Sequence, residues 1–360
     1  MRRALASFAL LALSACPAPA DVTPVIHVDP RAAQRLAWFG KAPPADDPPA
    51  EPAPAPATAP ARVHAMKDGE ALGGPAATGR PGDLLLENAE VVFVVSGCRL
   101  VDAADAQARK DELGQMAPRP GAEASGGACE APRSGTDADG SAWIETRARA
   151  GTLALTTRYL LNPPDRALLV ETTVENTGDA AETLASLGDV VEWGGTERVA
   201  PGKPRGFAGA TSGAYVGAVG RFVSYAVTST EGDIDAVSRG SSTETTVRAK
   251  VPLAAHASTH YERVFLVGAR PDTASLVGEL ALAAGQAVGE VKLTVPGGAG
   301  GATVELTPDG STEAITLASP FEAVLPLGRY WITPRRGGAP IGPLDVKANG
   351  VAEAAVPASD

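Results

Sequence analysis

Along residues 167–176 the chain alternates: Leu168, Val170, Thr172 and Val174 fall on one face, and Leu169, Glu171, Thr173 and Glu175 on the other. A period of two marks a strand with one face in a core. The same pattern predicts strands over 84–87, 142–149, 152–161, 182–187, 222–228, 244–251 and 261–267. Residues 90–95, EVVFVV, predict a strand that is apolar on both faces. Turn signals stand between strands at Asn162-Pro163-Pro164-Asp165, Asn176-Thr177-Gly178-Asp179 and Gly194-Gly195. Two short helices are expected among these strands. One spans 103–113. The other spans 272–284, with Asp272 as cap, Leu276, Val277 and Leu280 as its apolar stripe, and Gly285 as its stop. From Gly289 onward the rhythm shortens to seven brief strands, the spacing of a small Ig-like unit.

The expected fold class is therefore mainly β. A large antiparallel β-sandwich occupies 79–270, a connecting helix 271–288, and a small Ig-like or transthyretin-like sandwich 289–360. Ahead of them, residues 16–78 predict a tether. It holds one short helix over 31–39, capped by Asp29 and stopped by Gly40, and then the stretch 41–62, in which eight of 22 residues are Pro and eight are Ala. Such a stretch buries no core and favours extended polyproline II, so it acts as a semi-rigid spacer.

Composition sharpens the picture in two ways. Aromatics make up only 4% against 40 glycines and 31 prolines, which suits short strands and tight turns. The formal charge is −11. Removal of residues 1–15, whose only charges are Arg2 and Arg3, takes it two lower, to −13. An acidic chain without a Lys/Arg cluster is repelled by phosphate backbones, so nucleic acid is excluded as a partner.

The first 16 residues read MRRALASFALLALSAC: a basic start, an apolar run from Ala4 to Leu13, then Leu13-Ser14-Ala15-Cys16. Ten residues are too few to span a bilayer but suit the core of a signal peptide over 1–15. The last four resemble the lipobox of bacterial lipoproteins. That resemblance implies cleavage before Cys16, acylation of its thiol, and a location in the cell envelope on the periplasmic or extracellular face of a membrane. The remaining cysteines, Cys98 and Cys129, form a disulfide in an oxidising compartment or stay as two buried thiols.

The search for chemistry turns up no reactive set, so the sequence favours a non-enzymatic role and implies no cofactor. His27 and His64 lie in or beside the tether. His256 and His260 are four apart, but a strand over 259–267 separates them, so no metal is expected. Gly209-Ala-Thr-Ser-Gly213 puts its serine one position late for a nucleophile elbow. Residues 296–301, PGGAGG, lack the Lys-Ser/Thr of a phosphate loop, and Asp137-Ala-Asp139-Gly140 reads as a turn rather than a calcium loop. Candidate ligand contacts remain. Glu171 and Glu175 share a strand face, and Trp143, Trp193 and Trp331 have rings able to stack on a sugar.

Two family resemblances cover parts of the chain. GRPGDLLLEN (79–88), LVDA (100–103), DELG (111–114), LLVETTVENTG (168–178), VEWGG (191–195) and VAPG (199–202) resemble the N-terminal β-rich region of CehA/McbA-type metallohydrolases. In that family a catalytic domain rich in His-x-His follows. No such motif occurs here, so the resemblance implies an accessory region and no catalytic residue. EVKLTV (290–295), ATVEL (302–306) and LPLGRYWI (325–332) resemble carboxypeptidase-regulatory-like domains, which serve as spacer and adhesive modules. The leading expectation is an envelope lipoprotein whose sandwich binds a protein or a cell-wall glycan. The alternatives are an accessory subunit or truncated part of a metal-dependent hydrolase, and a carbohydrate-binding or sugar-active sandwich.

Overall fold

The computed structural model describes residues 59–121, 128–294, 303–334, 339–348 and 350–356. Cys16, the helix expected over 31–39, most of the tether and the glycine-rich loop 296–301 lie outside them. Among the described residues the fold is mainly β, in sandwiches that are antiparallel but for one parallel strand pair in the small unit, joined by one helix.

The large unit has two main layers. A nine-stranded sheet runs in the order β1 (Arg62–Ala65), β2 (Leu84–Glu87), β3 (Val91–Ser96), β4 (Arg99–Asp105), β5 (Gln115–Pro118), β11 (Asp189–Glu192), β17 (Ser242–Thr246), β16 (Ile234–Arg239), β13 (Gly209–Gly213). Facing it, an eight-stranded sheet runs β12 (Glu197–Val199), β14 (Val216–Val219), β15 (Ser224–Ser229), β19 (Ser258–Val267), β9 (Ala167–Asn176), β8 (Leu153–Leu161), β7 (Ala142–Ala150), β6 (Arg133–Thr136). A third pair, β10 (Glu182–Leu187) with β18 (Arg248–Leu253), closes one end through Leu184, Leu187 and Leu253.

The inward faces build the main core: Val91, Phe93 and Val95 from one sheet meet Ile144, Tyr159, Leu168, Val170 and Phe265 from the other. β9 has the predicted alternation, with Leu168, Val170, Thr172 and Val174 all buried. β3 is apolar on both faces because each is covered. Val92 and Val94 pack outward against Met66 and Leu72, from the segment that follows β1.

Three expectations are corrected. The folded region starts at β1, whose pairing with β2 (Arg62 opposite Glu87) draws residues 62–78 out of the tether and into the sandwich. No helix forms over 103–113. β4 pairs with β3 down to Asp105, whose carboxylate then accepts the Gln107 and Ala108 N–H groups in a turn. Pairing with an apolar strand outweighs the helix propensity of four alanines. The strand expected over 244–251 is two strands that part at Val247, whose N–H goes to Leu187 O; β17 stays in the nine-stranded sheet and β18 joins β10.

α1 (Thr273–Ala283) forms as the sequence predicts, with the Asp272 carboxylate accepting from Ser275 N at 2.7 Å. Its Leu276 and Leu280 cover the outer face of the eight-stranded sheet at Leu169, Val264 and Leu266. Its other side belongs to the small unit, where Ala274 and Val277 enter the core. Gly278 permits this closeness: a Cβ there would stand 2.1 Å from Val324 O. The small unit stacks a three-stranded sheet, β23 (Glu322–Pro326), β20 (Val288–Thr294), β26 (Val351–Ala355), on a four-stranded one, β22 (Ile315–Ala318), β21 (Thr303–Pro308), β24 (Gly328–Pro334), β25 (Ile341–Val346).

Candidate functional site

The β3–β4 turn approaches β7 at one end of the two large sheets, through Cys98 and Cys129. Gly97 and Cys98 form that two-residue turn with φ of 54° and 26°, the left-handed pair that a tight hairpin requires. Cysteine is unusual in such a turn. Its N–H donates to Cys129 Sγ at 3.0 Å, and its sulfur is bonded to that of Cys129, with the two Cα atoms 5.8 Å apart. Cys129 bridges to Ala148 of β7, so the disulfide ties the nine-stranded sheet to the eight-stranded one. Closing 31 residues of chain contributes roughly 3–4 kcal/mol by loop entropy.

Beside the disulfide lies a cleft of about 290 Å³. Arg99, Val101 and Gln115 line one wall; Thr146, Ala148, Leu155 and Thr157 line the other. Arg99 Nη1 donates to Gln115 Oε1 at 3.0 Å, and Gln115 Nε2 donates to Glu192 Oε1 at 2.9 Å, so the polar wall is held in place. A polar string leads inward from the other wall. The Thr157 and Thr172 hydroxyls are 3.0 Å apart, and Thr172 Oγ1 accepts from Arg263 Nη1 at 2.6 Å. Arg263 in turn grips Asp189 with Nε at 2.8 Å and Nη2 at 2.6 Å, over the ring of Tyr261. Both charged residues are fully buried, one from each sheet. Burial opposes the charge on both partners: it pushes the Asp189 carboxyl up in spite of Arg263, while on Arg263 the neighbouring Asp189 and tyrosines outweigh it and the net shift is upward. With the Arg263–Asp189 charges behind a hydroxyl-lined wall and the Arg99 guanidinium and Gln115 amide on the other, the cleft has hydroxyl, amide and guanidinium groups to hold a small uncharged polar group.

Of the five residues singled out as ligand contacts, Trp143, Trp193, Glu171 and Glu175 do not share a site, and Trp331 lies on β24 of the small unit. Trp193 stands just past the end of β11 and is fully buried in the main core, with Nε1 on Thr243 Oγ1 at 2.7 Å, so it touches no ligand. Trp143 lies on the outer face of β7, but its ring is already used. It packs over Gly135 of the edge strand, where a Cβ would stand 2.8 Å from Cζ2, and the Arg158 guanidinium sits 5.1 Å from its centroid. Asp137 ties the two together, accepting from Trp143 Nε1 at 3.1 Å and from Arg158 Nη2 at 3.0 Å. Glu171 is half-buried on the same outer face, between Arg158 on β8 and Glu262 on β19. Burial and then the Glu262 charge push its carboxyl up, against the pull of Arg158 and His260. Glu175 is exposed further along β9, opposite Ser258. Trp143 and Glu171 thus each neighbour Arg158, while Trp193 and Glu175 stand apart.

His256 sits in a turn, 3.1 Å from Asp179, and His260 on β19, so no helical face unites them. Among the described residues no group of three His, Cys, Asp or Glu is placed to hold a metal, and no helix is long and apolar enough to cross a membrane. Residues 137–141 form the expected turn, closed by Asp137 N on Ser141 O at 2.9 Å. Sequence reasoning missed the cleft walls and the Arg263–Asp189 pair. A signal existed for the latter: Tyr261, Arg263 and Phe265 share the apolar face of β19, and an arginine on such a face needs a buried partner.

No protein-family model matches the chain, and no curated protein matches it. Among solved structures, a TPR-domain containing protein from Parabacteroides distasonis is 11% identical, covering 59% of this chain and 55% of that one, with a TM-score of 0.40. The GH36 alpha-galactosidase AgaB from Geobacillus stearothermophilus is 9% identical over 61% of this chain and 42% of that one, at 0.42. The Slr1438 protein from Synechocystis is 12% identical over 52% of this chain and 96% of that one, at 0.37. This chain therefore spans about half the length of the first two. Likenesses this distant assign neither ligand nor activity to it.

Proposed function

We propose that the protein is a lipid-anchored envelope binding module whose large sandwich receives a partner's neutral polar group, from a glycan or a protein, in the cleft beside Cys98–Cys129. The observation that carries the reading is the cleft itself, a concavity with hydroxyl, amide and apolar walls braced across its mouth by a disulfide. An acylated Cys16 and the Pro/Ala-rich spacer fit the same role, since they hold such a module at a membrane and at a distance from it.

The test uses the mature chain with Cys16→Ser, which leaves it soluble and otherwise intact. Ala148→Phe fills the cleft from β7 without touching the buried ion pair. Envelope fractions are passed over both proteins. The parent is expected to retain one component, glycan or protein, that the filled variant does not. Equal retention by the two, or none by either, removes the reading. The anchor is checked separately by fatty-acid labelling, which Cys16→Ser is expected to abolish.

A second reading is an accessory region of a CehA/McbA-type hydrolase. It is favoured by one observation: segments carrying that resemblance pack together around Tyr225. The Tyr225 hydroxyl accepts from Glu112 N at 2.9 Å and lies 3.2 Å from Asp111, and Asp102 holds the Thr78 and Gly79 N–H groups. A neighbouring reading frame rich in His-x-His, whose product binds this chain, is the result this reading requires.

A further inference from the structure

Three tryptophans have rings able to stack on a sugar, and two of them are spent: Trp193 in the core, Trp143 between Gly135 and Arg158. Trp331 is different. It stands on the outward face of β24, opposite Thr307 of β21, with 37% of its surface exposed. Its neighbours in the strand, Tyr330 and Ile332, point the other way into the small core. The ring is also fixed in orientation. Trp331 Nε1 donates to Asp309 Oδ1 at 3.2 Å, and Asp309 Oδ2 takes Arg329 Nη2 at 2.5 Å. An exposed aromatic face is thus held rigid beside a carboxylate, a guanidinium and the Thr307 hydroxyl.

That set of groups matches the two-sided chemistry of a pyranose. One face of the sugar carries C–H groups that pack on an aromatic ring, and its rim carries hydroxyls that bond to carboxylate and guanidinium. The charges narrow the choice of polymer. Among the described residues Asp309 compensates Arg329, and Glu305 lies on the same face of β21, so these groups leave no cationic excess to hold an acidic chain. A rigid aromatic ring also binds at low entropic cost, because little freedom is lost on contact.

We infer that the Trp331, Asp309 and Arg329 surface of the small unit is a binding site for a neutral pyranose chain. This deepens the binding reading above by giving the second unit its own glycan contact, separate from the cleft.

The test titrates the mature Cys16→Ser chain with the tetramer of N-acetylglucosamine, with cellotetraose and with polygalacturonate, following heat and tryptophan emission. Neutral tetrasaccharides are expected to bind. Trp331→Ala should weaken them about tenfold or more, and Trp331→Phe should keep part of the affinity. An unchanged thermal midpoint in Trp331→Ala shows that the fold persists, as the exposure of the residue predicts. No binding of either neutral tetramer, equal binding by Trp331→Ala, or a preference for polygalacturonate overturns the inference. Loss in Ala148→Phe but not in Trp331→Ala also overturns it, by moving the sugar to the cleft, and leaves the binding function standing.

Discussion

Asp111 is fully buried, and its carboxyl is pushed up from 3.8 to about 7. Burial is the largest cause. The Ala103 and Leu113 N–H groups, which Oδ1 accepts at 2.9 and 3.1 Å, pull the other way, and nearby Asp102 adds to the rise. Oδ2 has no hydrogen-bond partner, so ionisation would leave charge on an atom that nothing solvates. A folded-state pKa above the unfolded one favours the fold while the group is protonated in both states. That stability is complete below about pH 3.8 and is lost as pH rises through 7. At about 1.36 kcal/mol per unit the whole effect is on the order of 4 kcal/mol, of which roughly 2–3 kcal/mol falls between pH 5 and pH 8. Asp111→Asn mimics the protonated acid in shape and keeps the Oδ1 acceptor, yet cannot titrate. Urea unfolding of parent and variant, followed by tryptophan emission at pH 5, 6.5 and 8, isolates this one group. The parent should lose stability relative to the variant by roughly 2–3 kcal/mol across that range. Parallel curves, or a parent that gains on the variant as pH rises, would refute the reasoning.

Removing one half of the buried ion pair should be among the most damaging single changes: Arg263→Met strands the Asp189 carboxylate and should cost about 3–5 kcal/mol by urea unfolding, with Asp189→Leu in the same chain restoring much of it. Reducing Cys98–Cys129, or replacing both by Ser, should lower stability by roughly 3–4 kcal/mol and raise hydrogen exchange in β3, β4 and the adjacent part of β7, while the small unit keeps its protection. Gly135→Ala should displace the Trp143 ring and release the Arg158 guanidinium, costing about 1–3 kcal/mol with a red-shifted emission.

Much of the architecture is legible in the sequence because alternation and turn chemistry act locally. β9, β10 and α1 sit where their patterns put them, and the Asp272 cap forms as its position predicts. The failures are non-local. Residues 62–65 carry no strong strand signal, and they pair because β2 leaves an edge for them. The stretch 103–113 has helical propensity, but Asp111 is needed beside Ala103 and Tyr225, and a helix would carry it away. The cleft is less legible still. Its walls come from β4, β5, β7 and β8, and hydroxyls such as Thr146 and Thr157 have no motif to announce them. Only the sheet pairing reveals that they face Arg99 and Gln115.

The segments easiest to recognise in the sequence are thereby set apart from the surfaces most able to bind. Asp102, Asp111, Glu112, Asn88 and Asn176 all stand in motif segments, and all five are buried with their side chains on backbone groups. Glu112 accepts the Arg221 and Phe222 N–H groups; Asn88 donates to Asn162 O and Asp165 O, tying the β2–β3 turn to the β8–β9 turn. A carboxylate or amide that fixes a loop in a core is costly to replace, because its partners are left unsatisfied and out of water. A solvent-facing contact such as Trp331 with Asp309 and Arg329 can change at little cost to the fold. A motif built from the first kind of residue therefore specifies how this sandwich is built. What each scaffold binds has to be read from the exposed residues, where the motif is silent.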